Sequence, residues 1–299
     1  MKILSFGSMN IDNTYSVDEF VQPGETMTAK NLSKFCGGKG LNQSIALASA
    51  GADVAHFGCV GEDGDILLDM LKSRGVNTDS VIKIDNITSG HAIIQVDSHG
   101  QNSILLYPGA NRRMTPELID RELEKYSCGD WLLIQNETNC LEYIMRAANK
   151  KGMKIAFNPS PMDGTVSTLP LEFVDLFLVN EIEGAAVTGK EITEEITEEF
   201  EKLFPNAAVI LTLGKKGSIF KSEKDMLFQP SYCGTVKDTT GAGDTYTGFF
   251  IANYINGVSP QECMRIAAMA STVQISRDGA AIAIPTKQEV LNALKNHCR

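Results

Sequence analysis

Short apolar runs alternate with longer stretches of helical periodicity along most of the chain. The runs predict buried strands, and the periodic stretches predict helices. Strands are predicted at Lys2–Phe6, Ala52–Val60, Trp131–Gln135, Lys154–Asn158, Leu176–Val179 and Ala208–Leu213, and helices up to Ala50 and at Asp65–Ser73, Leu141–Lys151, Glu181–Glu201, Thr245–Asn256, Pro260–Ser276 and Lys287–Asn296. Strands that alternate with helices imply an α/β fold with a mostly parallel sheet covered on both faces.

One pair of apolar runs departs from this alternation. Ala92–Val96 and Ser103–Tyr107 flank the turn-forming residues Asp97–Gly100, and this pattern predicts a β-hairpin. Because the hairpin interrupts the β/α order, we expect it to stand off the main sheet as a lid.

Composition narrows the class of protein. The chain has 299 residues, of which 43% are hydrophobic and 21% charged, as is typical of a globular protein with a sizeable core. Its net charge is −10. This excess of acidic residues argues against a nucleic-acid partner, because no basic field is available to hold a phosphate backbone.

Targeting and redox signals favour a cytoplasmic protein. The N-terminal residues lack the hydrophobic region of a signal peptide, and no apolar run approaches the roughly 18 residues of a membrane span. The seven cysteines are odd in number and form no C-x-x-C pair, which favours free thiols in a reducing compartment. The four histidines show no metal-binding spacing. We therefore expect no membrane partner and no zinc site.

Polar residues follow several of the predicted strands. They are Asn10, Asp12, Gln135, Asn136, Glu137, Asn158, Asn180, Gly214 and the loop 238–244. In parallel sheets ligands bind at the carboxyl ends of the strands, so these residues are expected to meet at one edge. Such convergence favours a functional site over scattered turns.

The loop Asp238–Asp244, with the sequence DTTGAGD, carries the strongest chemical signal. Its small residues leave bare amides before a helix, and such amides bind anions. Asp244 follows at once, which suggests a general base beside a transferring phosphoryl group. On local sequence alone, a glycine-rich turn with an aspartate that caps the helix is an equal alternative. The convergence of the other strand ends favours the site.

Three further motifs have two interpretations each. Gly37–Gln43 places three glycines and Lys39 before a helix, which suggests a close approach to a polar ligand. Asn10 and Asp12 point to one face of an extended segment and suit vicinal hydroxyls, although an Asx turn is locally the simpler interpretation. The loop Gly214–Gly217 suits a nucleotide's phosphates or a hairpin turn.

Taken together, the motifs resemble the ribokinase branch of the PfkB carbohydrate-kinase family. The resemblance extends from Gly7 to about Pro285 and is carried above all by the two glycine motifs, 37–43 and 238–244. It implies a single domain over 1–299 with a three-layer α/β/α fold, a mostly parallel central sheet and a small β-sheet lid. The lid would be formed by about 12–36 and 88–108.

The resemblance also implies a role for each matching position. Asp244 would be the base, and the amides of Gly241, Ala242 and Gly243 would form the anion hole. The implied sugar-binding residues are Asn10, Asp12, Gly38, Lys39, Asn42, Ala92, Ile94, Ile104, Glu137 and Asp244. The implied ATP-binding residues are Asn180, Thr212, Leu213, Gly214, Lys215, Lys216, Gly217 and Gly243. Glu183 would be associated with Mg²⁺, and a monovalent cation such as K⁺ would be held by Asp238, Thr240, Gln274, Arg277, Gly279 and Ala283.

The implied activity is ATP-dependent phosphorylation of a pentose at its primary hydroxyl, with ribose the favoured substrate, Mg²⁺ and K⁺ as cofactors and a homodimer paired through the lid. A kinase for 2-deoxyribose, another sugar, a sugar phosphate or a nucleoside is the alternative within the family. A sugar phosphate would need cations such as Arg112 and Arg113. A nucleoside would favour aromatic residues in the lid, whereas the runs Ala92–Val96 and Ser103–Tyr107 are aliphatic apart from Tyr107. A sugar-binding regulator without turnover is the alternative from another class.

Overall fold

The computed structural model describes residues 1–297. Its strands are β1 Ile3–Phe6, β2 Asn10–Ser16, β3 Asn31–Gly37, β4 Val54–Val60, β5 Asn77–Lys83, β6 Gly90–Val96, β7 Asn102–Tyr107, β8 Trp131–Gln135, β9 Lys154–Asn158, β10 Leu176–Asn180, β11 Ala208–Thr212, β12 Ser218–Lys221 and β13 Met226–Gln229. Its helices are α1 Lys39–Ser49, α2 Asp65–Ser73, α3 Pro116–Leu123, α4 Leu141–Lys150, α5 Glu181–Thr188, α6 Thr193–Leu203, α7 Ala242–Tyr254, α8 Pro260–Gln274 and α9 Lys287–His297.

The main sheet has nine strands in the order β13-β12-β11-β10-β9-β8-β1-β4-β5. The strands from β11 to β5 in this order pair in parallel, whereas β12 and β13 are antiparallel. One cluster of buried apolar side chains lies on each face of the sheet. The strands therefore read as continuous apolar runs, as expected for a sheet covered on both faces. The prediction of a three-layer α/β fold is confirmed.

Several elements differ from the predicted ones for local reasons. Helix α7 begins at Ala242, three residues before the predicted start, because Gly241 precedes it in the left-handed conformation with φ of 77°. The acidic segment predicted as helical up to Glu201 is two helices, since Gly189, with φ of 71°, ends the first. Strands β5, β12 and β13 and helix α3 were not predicted. The loop Gly214–Gly217 turns the chain from β11 into its antiparallel neighbour β12.

A close contact between α1 and α7 brings two distant motifs together. Gly248 of α7 lies against Ala46 of α1, where an added Cβ would come within 2.3 Å of the alanine Cβ. Only glycine permits this approach without displacement of the helices. The contact places the N-terminal turn of α1 beside the N-terminal turn of α7.

The second sheet has four strands in the order β3-β2-β6-β7. The pair β2–β6 is parallel and the other two pairs are antiparallel. Apolar side chains remain exposed on both faces of this sheet, among them Leu32, Phe35, Ile93, Ile104, Leu105, Leu106 and Tyr107. The end of this sheet that is nearest the main body packs against it through the buried residues Ile11 and Cys36.

Two predictions from composition can be compared with the described residues. Between residues 1 and 297, no helix is long and apolar enough to cross a membrane. Cys36, Cys59, Cys128, Cys140, Cys233 and Cys263 are all free thiols. Cys298 lies outside the described residues.

Candidate active site

Asp244 lies in the first turn of α7 and is 7% exposed. Its Oδ2 accepts a hydrogen bond of 3.0 Å from Nδ2 of Asn42, and its Oδ1 accepts one of 2.9 Å from Nε2 of Gln43. Both donors lie in α1, so the contact between α1 and α7 creates this arrangement. Gly243 and Ala242 precede the carboxylate at the helix N-terminus, where backbone amides have no acceptor within the helix. The amide of Ala242 donates to the carbonyl of Thr239 at 3.2 Å.

A cleft of about 240 Å³ opens beside this carboxylate. It joins segments from both motifs and from the ends of three strands. Its lining is Lys39, Asn158, Ser160, Leu178, Val179, Asn180, Glu183, Ile210, Thr212, Thr239, Gly241, Ala242, Gly243, Asp244, Tyr246 and Thr247. The predicted base and anion hole therefore meet three of the predicted ATP-binding residues, Asn180, Thr212 and Gly243, at the carboxyl ends of the parallel strands.

Lys39 and Asp244 of the predicted sugar-binding set line this cleft, and Glu137 of the same set contacts Lys39. Glu137 accepts hydrogen bonds from the backbone N–H of Lys39, at 3.0 Å, and from the hydroxyl of Ser8. Burial, reinforced by the nearby charge of Glu137, raises the pKa of Asp12 from 3.8 to about 7. The charges of the two groups are close enough to interact, and a carboxyl group with this raised pKa can donate a hydrogen bond to a sugar hydroxyl as well as accept one.

Lys39 lies among three carboxylates. Burial by itself would lower the pKa of its ammonium group, but the charges of Asp244, Glu137 and Glu183 raise it above the ordinary value. The ammonium group therefore stays positive and balances part of the negative charge at the site. Its positive charge lies near Glu137, a predicted sugar-binding residue, and near Asp244 and Glu183, which line the cleft.

The predicted lid residues share one face of the small sheet. Asp12 pairs with Ala92, and Ala92 with Leu106 on the next strand. Ile94 pairs with Ile104 two residues away, on the same face. Ala92 is buried, Ile94 is half-buried and Ile104 is 58% exposed. Leu106 and Phe35 lie on this face too, and the sequence analysis gave them no role.

Of the predicted nucleotide residues on the strand ends, Asn180 and Thr212 line the cleft. Asn180 caps α5: its Oδ1 accepts from the backbone N–H of Glu183 at 2.9 Å, and Oε2 of Glu183 accepts from the N–H of Asn180 at 3.0 Å. Thr212 lines the cleft, Leu213 is buried beside it, and Lys215 and Lys216 are exposed. Gly217 allows the chain to pass within contact of Gln229, with φ of 121°.

The residues predicted for a monovalent cation are close together, but their oxygens already have partners. The carboxylate of Asp238 accepts from the backbone N–H groups of Thr240, at 2.9 Å, and Gly279, at 3.0 Å. Nε2 of Gln274 lies 3.1 Å from the carbonyl oxygens of both Thr240 and Gly279. The carbonyls of Gln274 and Ala283 accept from the backbone N–H and the guanidinium of Arg277, at 3.1 and 3.4 Å. This donor and acceptor set does not fit a bound cation, since side-chain donors fill the space.

Four amide side chains support the site, and sequence reasoning gave none of them a specific role, although it expected Gln135 and Asn158 at this edge of the sheet. Nδ2 of Asn111 donates to Oδ1 of Asn10 at 2.8 Å and thereby orients it. Nε2 of Gln135 donates to Oε1 of Gln43 at 2.8 Å, and Nε2 of Gln43 donates to Oδ1 of Asn158 at 3.1 Å. All four were visible in the sequence as amides in or beside motifs, but nothing in the sequence indicated what they contact.

A model of the pfkB family of carbohydrate kinases matches residues 1–287. The chain belongs to this family. It is 33% identical to a ribokinase of Haemophilus influenzae over 298 residues, which cover 97% of each chain. It is 29% identical to a deoxyribokinase of Salmonella typhi over 301 residues, with 97% of each chain covered.

Solved structures of family members have the same fold. A ribokinase from Thermotoga maritima superposes with a TM-score of 0.88 at 32% identity, with 98% of this chain and 99% of that chain covered. A ribokinase from Arabidopsis thaliana complexed with ribose and ATP superposes with a TM-score of 0.85 at 29% identity, with 98% of each chain covered. The family and fold implied by the sequence motifs are thus confirmed, and the chain is a carbohydrate kinase.

Proposed function

We propose that this kinase transfers the γ-phosphoryl group of ATP to the primary hydroxyl of a pentose, with D-ribose the preferred substrate. The observation that carries the proposal is the position of Asp244, a buried carboxylate that shares one cleft with Lys39, Asn180 and the first residues of α7. The ribokinase relatives and the structure complexed with ribose and ATP support the choice of sugar.

In the proposed mechanism, Asp244 takes the proton of the hydroxyl as its oxygen bonds to the γ-phosphorus. The bond from phosphorus to the bridging oxygen breaks, and ADP leaves with the electron pair. The amides of Gly241, Ala242 and Gly243 stabilise the charge on the transferred group. Phosphoryl transfer depends mainly on such positioning and charge stabilisation, and a positioned base contributes roughly 10²–10⁴-fold.

The sugar would be held by acceptors on one side and covered by apolar residues on the other. Asn10, Asp12 and Glu137 are assigned to the hydroxyls, together with the backbone of Gly38, the Lys39 ammonium group and Asn42. Ala92, Ile94 and Ile104 are assigned to the apolar face of the sugar ring. The apolar lid and the hydroxyl-binding residues together suit a small polyhydroxylated ring.

The nucleotide would lie along the strand ends β10 and β11. Asn180, Thr212, Leu213, Gly214, Lys215, Lys216 and Gly217 are assigned to ATP. No group of three or more His, Cys, Asp or Glu side chains that could hold a metal ion occurs in the described part of the chain. The residues present therefore fit a Mg²⁺ ion that is bound mainly by the phosphates of the nucleotide. Glu183 would hold its hydration shell, and the ion would neutralise charge on the phosphates.

Features of the protein and of its relatives favour or disfavour each of the other substrates within the family. The deoxyribokinase relative keeps 2-deoxyribose as the second candidate. A sugar phosphate is disfavoured, because Arg112 lies near the carboxylate of Asp163, whose pKa it helps to lower, so its charge is partly offset. A nucleoside is disfavoured because most apolar residues on the face of Asp12 are aliphatic, although Phe35 also lies there. The acidic composition and free thiols favour a cytoplasmic enzyme.

An assay of ADP release with ribose, 2-deoxyribose, fructose 6-phosphate and adenosine tests the proposal. We expect the highest kcat/KM with ribose. The Asp244→Asn variant should bind ATP normally but lose about 100-fold or more in kcat. Near-normal turnover in this variant would contradict the role of Asp244. A protein that is stabilised by sugar but releases no ADP would be a regulator.

A further inference from the structure

The side chain of Gln274 occupies the position where the family resemblance predicts a monovalent cation. Gln274 is fully buried at the end of α8. Its Nε2 lies 3.1 Å from each of three carbonyl oxygens, those of Thr240, Gly279 and Ala280. Two of these carbonyls, Thr240 and Gly279, belong to the predicted cation ligands.

The partners of this amide fix which way it points. Carbonyl oxygens only accept hydrogen bonds, so the nitrogen must face the three of them. The amide oxygen faces the hydroxyl of Thr245, which donates to it at 3.4 Å. If the amide turned over, its oxygen would meet three other oxygens with no positive group between them. A cation could enter only if the side chain left.

The remaining predicted ligands also differ from a cation site. Ala283 is predicted to bind the ion through its carbonyl oxygen, but this oxygen accepts from the guanidinium of Arg277 at 3.4 Å. The carboxylate of Asp238 is engaged by two backbone N–H groups. The carbonyls of Thr240, Gln274, Gly279 and Ala283 and both carboxylate oxygens of Asp238 thus accept hydrogen bonds from groups within the chain. These contacts stabilise the region without an ion.

We propose that the Gln274 amide replaces the monovalent cation in this enzyme, so that phosphoryl transfer does not require potassium. Its bond to the Thr240 carbonyl anchors the residue directly before Gly241, at the start of the anion hole. The partial positive charge on the amide N–H groups thus attracts the three carbonyl oxygens and stabilises the conformation of the loop 238–244. The inference rests on the proposed kinase function for its kinetic part only.

The wild-type enzyme gives the first test. Activity and melting temperature are measured in tetramethylammonium chloride and in potassium chloride at equal ionic strength. We expect kcat to change by less than about twofold, and potassium to raise the melting temperature no more than tetramethylammonium, since an ion that does not bind cannot stabilise the folded state. A potassium-specific rise in melting temperature with activation of about tenfold or more would overturn the proposal.

Two variants give the second test. Gln274→Ala vacates the space and exposes the carbonyls, so kcat should fall about tenfold without potassium, and potassium should restore most of it and raise the melting temperature. Gln274→Met, the matched control, fills the same space without a donor, so potassium should restore nothing. If potassium has no effect on folded Gln274→Ala, the carbonyls are not a cation cradle and the replacement is wrong.

These experiments distinguish a failure of the proposed kinase function from a failure of the inference about Gln274. If no sugar is phosphorylated, the proposed function fails, while the melting temperatures still decide whether potassium binds. If Gln274→Ala does not fold, crystals of the wild-type protein soaked in thallium acetate give the answer. A thallium peak among the carbonyls of Thr240, Gly279 and Ala280 would overturn the inference, and no peak there would support it.

Discussion

Two carboxamides fix the position of the Asp244 carboxylate in the absence of substrate. Gln43 is fully buried, and its partners leave its amide one orientation: the nitrogen faces Asp244 and Asn158, and the oxygen accepts from Gln135. Because a carboxylate only accepts hydrogen bonds, this network determines where the basic oxygen points. The proposed proton transfer depends on that direction.

Gln43→Met tests this positioning role. Loss of the donor should lower kcat about 10–100-fold while the KM values for sugar and ATP change little, since the base and not the binding surface is affected. Ser44→Ala is the matched control: Ser44 is buried in the same helix, and its hydroxyl contacts His56. This control should lose stability but not kcat. Equal loss of kcat in both variants would mean that Gln43 is only structural.

The pKa of Asp12, raised to about 7, makes a prediction about stability and pH. A folded-state pKa above the unfolded value contributes stability that is complete below about pH 4 and is lost as the pH rises through 7. Asp12→Asn should therefore raise the melting temperature at pH 8 by a few degrees, with a smaller gain at pH 5 and none near pH 3.5. A gain that is constant with pH would contradict the raised pKa. The variant should also bind the sugar more weakly.

The motifs in the sequence predicted most of the residues at the site but not their support. Asn10, Asp12, Lys39 and Asp244 follow strands or lie in glycine motifs, so local patterns identify them. The partners of Asp244 and Asn10 are 201 and 101 residues away in the chain. A single sequence contains no signal for such long-range contacts. The same limit applies to Gln274, whose carbonyl partners come from separate loops.

At the scale of elements, the strongest apolar runs were predicted well and the edges were not. The central strands are buried on both faces and read as unbroken apolar runs. Strand β5 lies at one edge of the main sheet, and its sequence NTDSVIK offers little contrast between buried and exposed residues. Strand β13 at the other edge has only four residues. Edge strands of this kind have no clear pattern of hydrophobicity.

The packing of α1 on α7 is the element-scale feature on which the site depends. Gly248→Val would place a bulky side chain against Ala46 and separate the helices that carry Gln43 and Asp244. We expect a loss of about 1–3 kcal/mol in the free energy of unfolding and a lower kcat. Chemical denaturation and steady-state kinetics measure both. Gly164→Ala is the control, because no atom lies within 4 Å of its added Cβ. Unchanged kcat in a destabilised Gly248→Val variant would separate this packing from catalysis.

At the scale of the whole molecule, the small sheet has more exposed apolar surface than one bound sugar covers. Ile104 and Leu106 share the face of Asp12, while Ile93, Leu105 and Tyr107 lie on the opposite face, where Leu105 is 69% exposed. Large apolar patches on both faces of a sheet are typical of interaction surfaces. We therefore propose that two small sheets pair to form a homodimer, in which each covers the other.

Leu105→Asp tests this assembly. A charge in the centre of the paired surface should make the protein a monomer in sedimentation-velocity experiments. It should also raise the KM for sugar more than it lowers kcat, because the lid loses the support of its partner while the base and anion hole stay intact. Met226→Asp is the matched control, since Met226 is 57% exposed in β13 at the far edge of the main sheet. This control should remain a dimer with the wild-type KM. If the wild-type protein sediments as a monomer at micromolar concentration, there is no homodimer. If the Leu105→Asp variant stays dimeric, the subunits contact each other through another surface.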